Sequence, residues 1–144
     1  MEPVRLLLVD DNPTFLRITS RFLASQEWIV ILGSACSGRE ALQLGNDLQP
    51  DVILIDLNMS GMSGLDAIPQ LRALLPDTRI ITLTLFDSQS YRNAALDSGA
   101  DCFVGKSSMN RDLIPAILGV MDKSGSTQAS GGPGAPNPEA QELP

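Results

Sequence analysis

Five short apolar runs, separated by longer amphipathic stretches, set the rhythm of this chain. The runs at Arg5–Val9, Trp28–Leu32, Asp51–Ile55, Arg79–Thr84 and Asp101–Gly105 read as strands. Two of them, Leu6-Leu7-Leu8-Val9 and Val52-Ile53-Leu54-Ile55, have no polar alternation. Such runs fit strands buried on both faces, as in a parallel sheet. The stretches between them repeat apolar residues at helical spacing. Pro13–Ala24 carries Phe15, Leu16, Ile18, Phe22 and Leu23 on one face. Further helices are expected over Gly38–Leu48, over a segment ending near Leu75, over Ser88–Ser98 and over Asn110–Asp122.

The punctuation supports this reading. Asp11 or Asn12 can cap the first helix, with Pro13 in its first turn. Ser37 and Glu40 have the spacing of a capping box. Gly99 suits the end of the fourth helix. Pro69 lies inside the third helical pattern and predicts a kink or a late start. Pro115 is expected close to the first turn of the last helix. Strand–helix alternation with right-handed crossovers predicts an α/β fold. The expected form is a doubly wound five-stranded parallel sheet in the flavodoxin-like order 2-1-3-4-5, with helices on both faces.

At 144 residues the chain suits one domain, and 43 % hydrophobic residues suffice for a core. Residues 1–123 make up that domain. The segment 124–144 has four Gly, four Pro and no basic residue, and is expected to be a disordered tail. A net charge of −7 with only two lysines, Lys106 and Lys123, argues against direct nucleic-acid binding. No apolar run is long enough to span a membrane, and Met1-Glu2-Pro3-Val4-Arg5 lacks the regions of a signal peptide. A cytoplasmic location is expected. With no histidine, serine–histidine and cysteine–histidine hydrolase mechanisms are excluded. Cys36 and Cys102 sit far apart in apolar patterns and are expected to be reduced core residues, with no zinc site.

The chemistry collects at the strand ends. Strand one runs into Asp10-Asp11, strand three into Asp56, strand four into Thr84 and strand five into Lys106. In a parallel sheet these ends share one edge, where ligands of open α/β sheets bind. Each residue alone has a plainer role: a helix cap for Asp10-Asp11, strand propensity for Thr84, a solvated ammonium for Lys106. All of them arriving at one edge by chance is the weaker explanation. A carboxylate can attack phosphorus to form an acyl phosphate. Phosphoryl transfer needs positioning and charge neutralisation. Mg²⁺, which favours one or two carboxylates with water and phosphate, suits Asp11 and Asp56, with Asp10 acting through water and a backbone carbonyl past Asp56 adding a ligand.

From Asp56 to Thr84 is 28 residues, and from Thr84 to Lys106 is 22. With Leu8-Val9-Asp10-Asp11, Ile55-Asp56-Leu57-Asn58-Met59 and Gly99-Ala100-Asp101, residues 4–122 resemble a response-regulator receiver domain of two-component signalling. The resemblance implies that Asp56 is the phosphoacceptor. It implies Mg²⁺ at Asp10, Asp11, Asp56 and the Asn58 carbonyl, with Thr84 and Lys106 reading the phosphoryl group. Phe103 matches the family's aromatic switch position. In that scheme the Thr84 hydroxyl moves toward the phosphoryl group and Phe103 turns inward. The implied partners are a sensor histidine kinase or phosphotransfer protein and an output partner of unknown identity. The face of helix four, strand five and helix five, with Tyr91 on it, would contact that partner or a second copy in a homodimer. Residues 31–42 resemble receivers that usually precede a helix-turn-helix. The residues after the last helix are expected to be too few and too polar for one, so the chain reads as a stand-alone receiver or as the receiver fragment of a DNA-binding regulator.

Three positions depart from the family pattern. Ser60 and Ser107 stand where proline is usual, and Leu85 is bulkier than the usual Ala or Gly. Other functions fit less well. An aspartate-nucleophile phosphohydrolase would need a carboxylate two residues after Asp56, where Asn58 stands. A flavodoxin-like cofactor binder would need a phosphate loop where the acidic Asp10-Asp11-Asn12-Pro13 lies. A degenerate receiver acting only as an interaction module would not keep the full residue set.

Overall fold

The computed structural model describes residues 2–85 and 88–124. The strands are β1 (Val4–Val9), β2 (Ile29–Ala35), β3 (Val52–Ile55), β4 (Arg79–Thr84) and β5 (Cys102–Gly105). The helices are α1 (Pro13–Ala24), α2 (Gly38–Leu48), α3 (Gly64–Leu74), α4 (Gln89–Ser98) and α5 (Met109–Ser124), with a 3₁₀ turn over Lys106–Ser108. All strand pairs are parallel, in the order β2-β1-β3-β4-β5. The doubly wound sheet expected from the alternation is present. The polar tail lies, from residue 125 on, outside the described residues.

The unbroken apolar runs have the cause inferred for them. Side chains alternate across a strand, so Leu6, Leu8, Val52 and Leu54 enter one core, with Leu16 and Leu23 of α1 and Leu113 and Ile117 of α5. Leu7, Val9, Ile53 and Ile55 enter the other, beneath Ala41 of α2, Ile68 and Leu71 of α3 and Ala95 of α4. Each central strand therefore needs apolar residues at every position.

Local details refine the expected boundaries. Asn12, not Asp11, caps α1, its side chain accepting from the Thr14 and Phe15 N–H groups. Ser37 accepts from the Glu40 N–H at 3.1 Å, while the Glu40 carboxylate reaches back one residue further than a standard capping box, to the Cys36 N–H at 2.7 Å. β2 runs to Ala35 rather than Leu32, because the pairing with β1 shifts between Leu6 and Leu7 and then resumes at Gly33. α3 begins at Gly64, so Pro69 causes no late start and lies inside the helix. Pro115 also lies inside its helix, not in the first turn, because α5 starts at Met109. The described peptide bonds are all trans, Lys106–Ser107 included.

One tight approach fixes the loop after β3. The Gly64 N–H donates to the Leu57 carbonyl at 3.0 Å. A Cβ on Gly64 would lie 2.7 Å from the Leu57 Cα and would also run into the Asp56 carbonyl oxygen. Only glycine lets α3 begin this close to the end of β3. Gly64→Ala is expected to cost about 1–3 kcal/mol, the range for an overpacked contact. A lowered urea midpoint with an unchanged slope would show it.

Candidate functional site

Strand register assembles the site. Val9 of β1 is level with Ile55 of β3, so Asp10 and Asp56 emerge side by side. Thr84 of β4 is level with Gly105 of β5, so Lys106 emerges next to them. The Asp56 N–H donates to the Val9 carbonyl at 3.0 Å and the Asp10 N–H to the Ala35 carbonyl at 3.0 Å. Each of these two carboxylates also accepts from the N–H two residues on. Asn12 N–H reaches Asp10 Oδ1 at 2.9 Å, and Asn58 N–H reaches Asp56 Oδ1 at 3.2 Å. Both side chains are buried, and both are fixed by backbone donors.

Lys106 neutralises them. Its ammonium lies 2.7 Å from Asp10 Oδ2 and 3.3 Å from Asp56 Oδ2. The Phe15 ring lies beneath it, 4.0 Å from Nζ to the ring centroid. The ammonium is thus enclosed by two anions and an aromatic face, an arrangement that favours charge in a desolvated place. Phe15 was legible only as part of the apolar face of α1. Its place in the first turn beside Asp10-Asp11 was the signal that could have set it apart.

Asp11 is held differently. Its Oδ2 accepts from the Ser60 N–H at 2.9 Å and from the Ser60 hydroxyl at 3.2 Å. These bonds join the loop after β1 to the loop after β3. Asp10, Asp11, Asn12, Asp56, Asn58, Leu85 and Lys106 line a cleft of about 200 Å³ at this edge. Leu85 forms its outer wall and is 71 % exposed. Thr84 is fully buried at the end of β4 and does not line the cleft.

Other expected positions differ. Phe103 is already buried in the core on the α2–α4 side, with the Arg92 guanidinium 4.8 Å above its ring. Tyr91 packs partly buried against the same core. Cys36 is exposed rather than a core residue, because β2 ends at Ala35 and Cys36 belongs to the turn before the α2 cap; Cys102 is half-buried.

The donor set fits a small, hard cation. One oxygen from each of Asp10, Asp11 and Asp56 falls within a cluster where all separations are under 4.8 Å. An octahedron with Mg²⁺–oxygen distances of about 2.1 Å spans about 3 Å between adjacent ligands and about 4.2 Å between opposite ones. The cluster, within 4.8 Å throughout, is close to that scale. Asp10, whose ion pair with Lys106 at 2.7 Å is shorter than that of Asp56 at 3.3 Å, suits a water-mediated place.

The model of the response regulator receiver domain matches residues 6–118. The chain belongs to that family. It is a receiver domain of two-component response regulators. Among relatives, the response regulator protein VraR of Staphylococcus saprophyticus is 36 % identical over 117 residues, covering 80 % of this chain and 55 % of VraR. The chain thus spans about half the length of that relative. The signal receiver domain of the response regulator NarL from Mycobacterium tuberculosis superposes with a TM-score of 0.79 at 32 % identity, covering 85 % of this chain and 98 % of that one. A two-component response regulator of the LuxR family from Aurantimonas gives 0.81 at 26 % identity, covering 85 % and 87 %. No helix among the described residues is long and apolar enough to cross a membrane.

Burial is the main reason that the Asp56 carboxyl is held above the ordinary aspartate value of 3.8, and the Asp10 charge adds to it; the Asn58 N–H and Lys106 work against the shift. The sign for stability follows. In the folded protein Asp56 keeps its proton to a higher pH than in the unfolded chain, so stability falls as pH rises through that window. Asp56→Asn removes the titration. In metal-free buffer the variant should melt above the wild type at neutral pH, and the difference should close below the ordinary aspartate range. Thermal melts from pH 3 to pH 8 in chelator measure this, and a difference independent of pH would contradict it.

Proposed function

We propose that the domain accepts a phosphoryl group on Asp56 from a phosphohistidine of a sensor kinase or phosphotransfer protein, in the cytoplasm. The observation that carries this reading is the buried Asp56 carboxylate, 3.3 Å from the Lys106 ammonium and within the acidic cluster of the cleft. An Asp56 carboxylate oxygen attacks phosphorus, the new O–P bond forms, and the N–P bond of the donor breaks. The electron pair stays with the donor imidazole, which takes a proton from solvent.

Asp11, Asp56 and the Asn58 carbonyl would hold Mg²⁺, with Asp10 acting through water. When bound, Mg²⁺ neutralises charge between the carboxylates and the phosphoryl oxygens. Lys106 keeps its ammonium at the reacting oxygen and can pass to a phosphoryl oxygen without leaving Asp10. Thr84, buried at the end of β4, would offer its hydroxyl to the phosphoryl group. The domain acts as a switch for a partner, with self-catalysed transfer and hydrolysis at most slow. The α4–β5–α5 face is the proposed contact for an output partner or a second copy.

A second reading concerns context. The match to half of VraR, and the likeness to a LuxR-family regulator, favour this domain as the receiver part of a longer DNA-binding regulator. In that reading the output is an attached helix-turn-helix rather than a separate protein.

With Mg²⁺ and a phospho-histidine donor, the protein should gain one phosphoryl group. Borohydride trapping and mass spectrometry should place it on Asp56. Asp56→Asn should lose it, and Lys106→Ala should still bind Mg²⁺ but be labelled slowly. Full labelling of Asp56→Asn would sink the assignment.

A further inference from the structure

We infer that Ser60 is a positioning residue that orients Asp11 for the divalent cation and tunes the site toward Mg²⁺. The inference rests on the reading that Asp11 holds that cation. The three clustered carboxylates are not supported alike. Asp10 and Asp56 each accept from a backbone N–H two residues ahead in their own loop, at 2.9 Å and 3.2 Å. Those contacts come with the turn itself. Lys106 then fixes the second oxygen of each, at 2.7 Å and 3.3 Å.

Asp11 does not share this arrangement. Lys106 forms ion pairs with Asp10 and Asp56, and what orients Asp11 crosses from the β3–α3 loop, 49 residues away in sequence. Ser60 gives two donors to one oxygen, its N–H at 2.9 Å and its hydroxyl at 3.2 Å. With Oδ2 engaged twice, the plane of the carboxylate is set and Oδ1 is the oxygen left for a cation. Proline at this position would offer neither an N–H nor a hydroxyl, so the pair of hydrogen bonds to Asp11 depends on Ser60.

Donors behind a ligating carboxylate set its orientation, and their loss weakens metal affinity. The loss should fall unequally on different cations. Mg²⁺ demands a near-ideal octahedron with short bonds, whereas Ca²⁺ accepts longer bonds and irregular geometry. A carboxylate freed to rotate should therefore cost Mg²⁺ more than Ca²⁺. A general loosening of the fold would weaken both alike.

Mg²⁺ and Ca²⁺ are titrated separately into wild type, Ser60→Ala and Ser60→Thr by calorimetry, with thermal melts alongside. Ser60 is exposed, so all three should melt alike in chelator. Ser60→Ala keeps the N–H contact, so its Mg²⁺ affinity should fall by about 3- to 10-fold, at or below the low end for such partners. Its Ca²⁺ affinity should change by less than about twofold, given the tolerance of that ion. Ser60→Thr should restore the wild-type ratio. Wild-type protein that binds neither ion overturns the cation reading and this inference together. Wild type that binds Mg²⁺, with Ser60→Ala binding it equally or losing both ions in proportion, overturns the inference alone.

Discussion

The two buried carboxylates of the acidic edge depend on one ammonium. Asp10 and Asp56 are both buried, and their charges lie close enough to repel strongly. Two like charges about 4 Å apart repel by about 4 kcal/mol where the effective dielectric constant is near 20. Lys106 answers both at once, and the Phe15 ring keeps it there with little help from water. The compensation is incomplete, because burial still lifts the proton affinity of Asp56. The site is thus held at a cost by a fold whose stability is set elsewhere, in the two aliphatic cores. That is the usual relation between a reactive site and its scaffold.

The scaffold meets that cost through register. A slip of one residue between β1 and β3 would send Asp10 and Asp56 to opposite faces of the sheet and bury charge among leucines. The unbroken apolar runs and the alternate filling of the two cores make such a slip expensive. Gly64 then holds the loop after β3 against the strand end, so Asn58 and Ser60 sit where they can donate to Asp56 and Asp11. Backbone geometry, more than side-chain packing, shapes the mouth of the cleft.

Strand runs, strand order and the clustering of Asp10, Asp11, Asp56 and Lys106 were legible because each follows from a local pattern plus one topological rule. What stayed hidden depends on distances that no local pattern encodes. Ser60 was visible as a departure from proline, but its two bonds to Asp11 require knowing that two loops meet. Phe15 read as a core residue because one helical face serves both the core and the underside of Lys106. Pro115 was placed too early because the 3₁₀ turn at Lys106–Ser108 and the start of α5 at Met109 merge into one continuous segment. Cys36 looked buried from its apolar surroundings, but β2 ends one residue before it. Phe103 lies in the core under Arg92, a contact that no local pattern encodes.

Charge arithmetic links the parts of the proposed switch. Three ionised carboxylates carry −3 and Lys106 returns +1, leaving −2, the charge that one divalent cation cancels. A phosphoryl group on Asp56 would replace one negative charge by nearly two. Cation and phosphoryl group would therefore favour each other, and the coupling must be equal in both directions. Lys106, already committed to Asp10, cannot supply the extra positive charge alone. In the proposed switch the hydroxyl of Thr84, buried at the end of β4, would add a donor. In that proposal the signal toward β5 would draw on the free energy of bringing that hydroxyl to the phosphoryl group, since a ligand shifts two states only by its differential affinity for them. In that switch Phe103 would take part from its place in the core under Arg92.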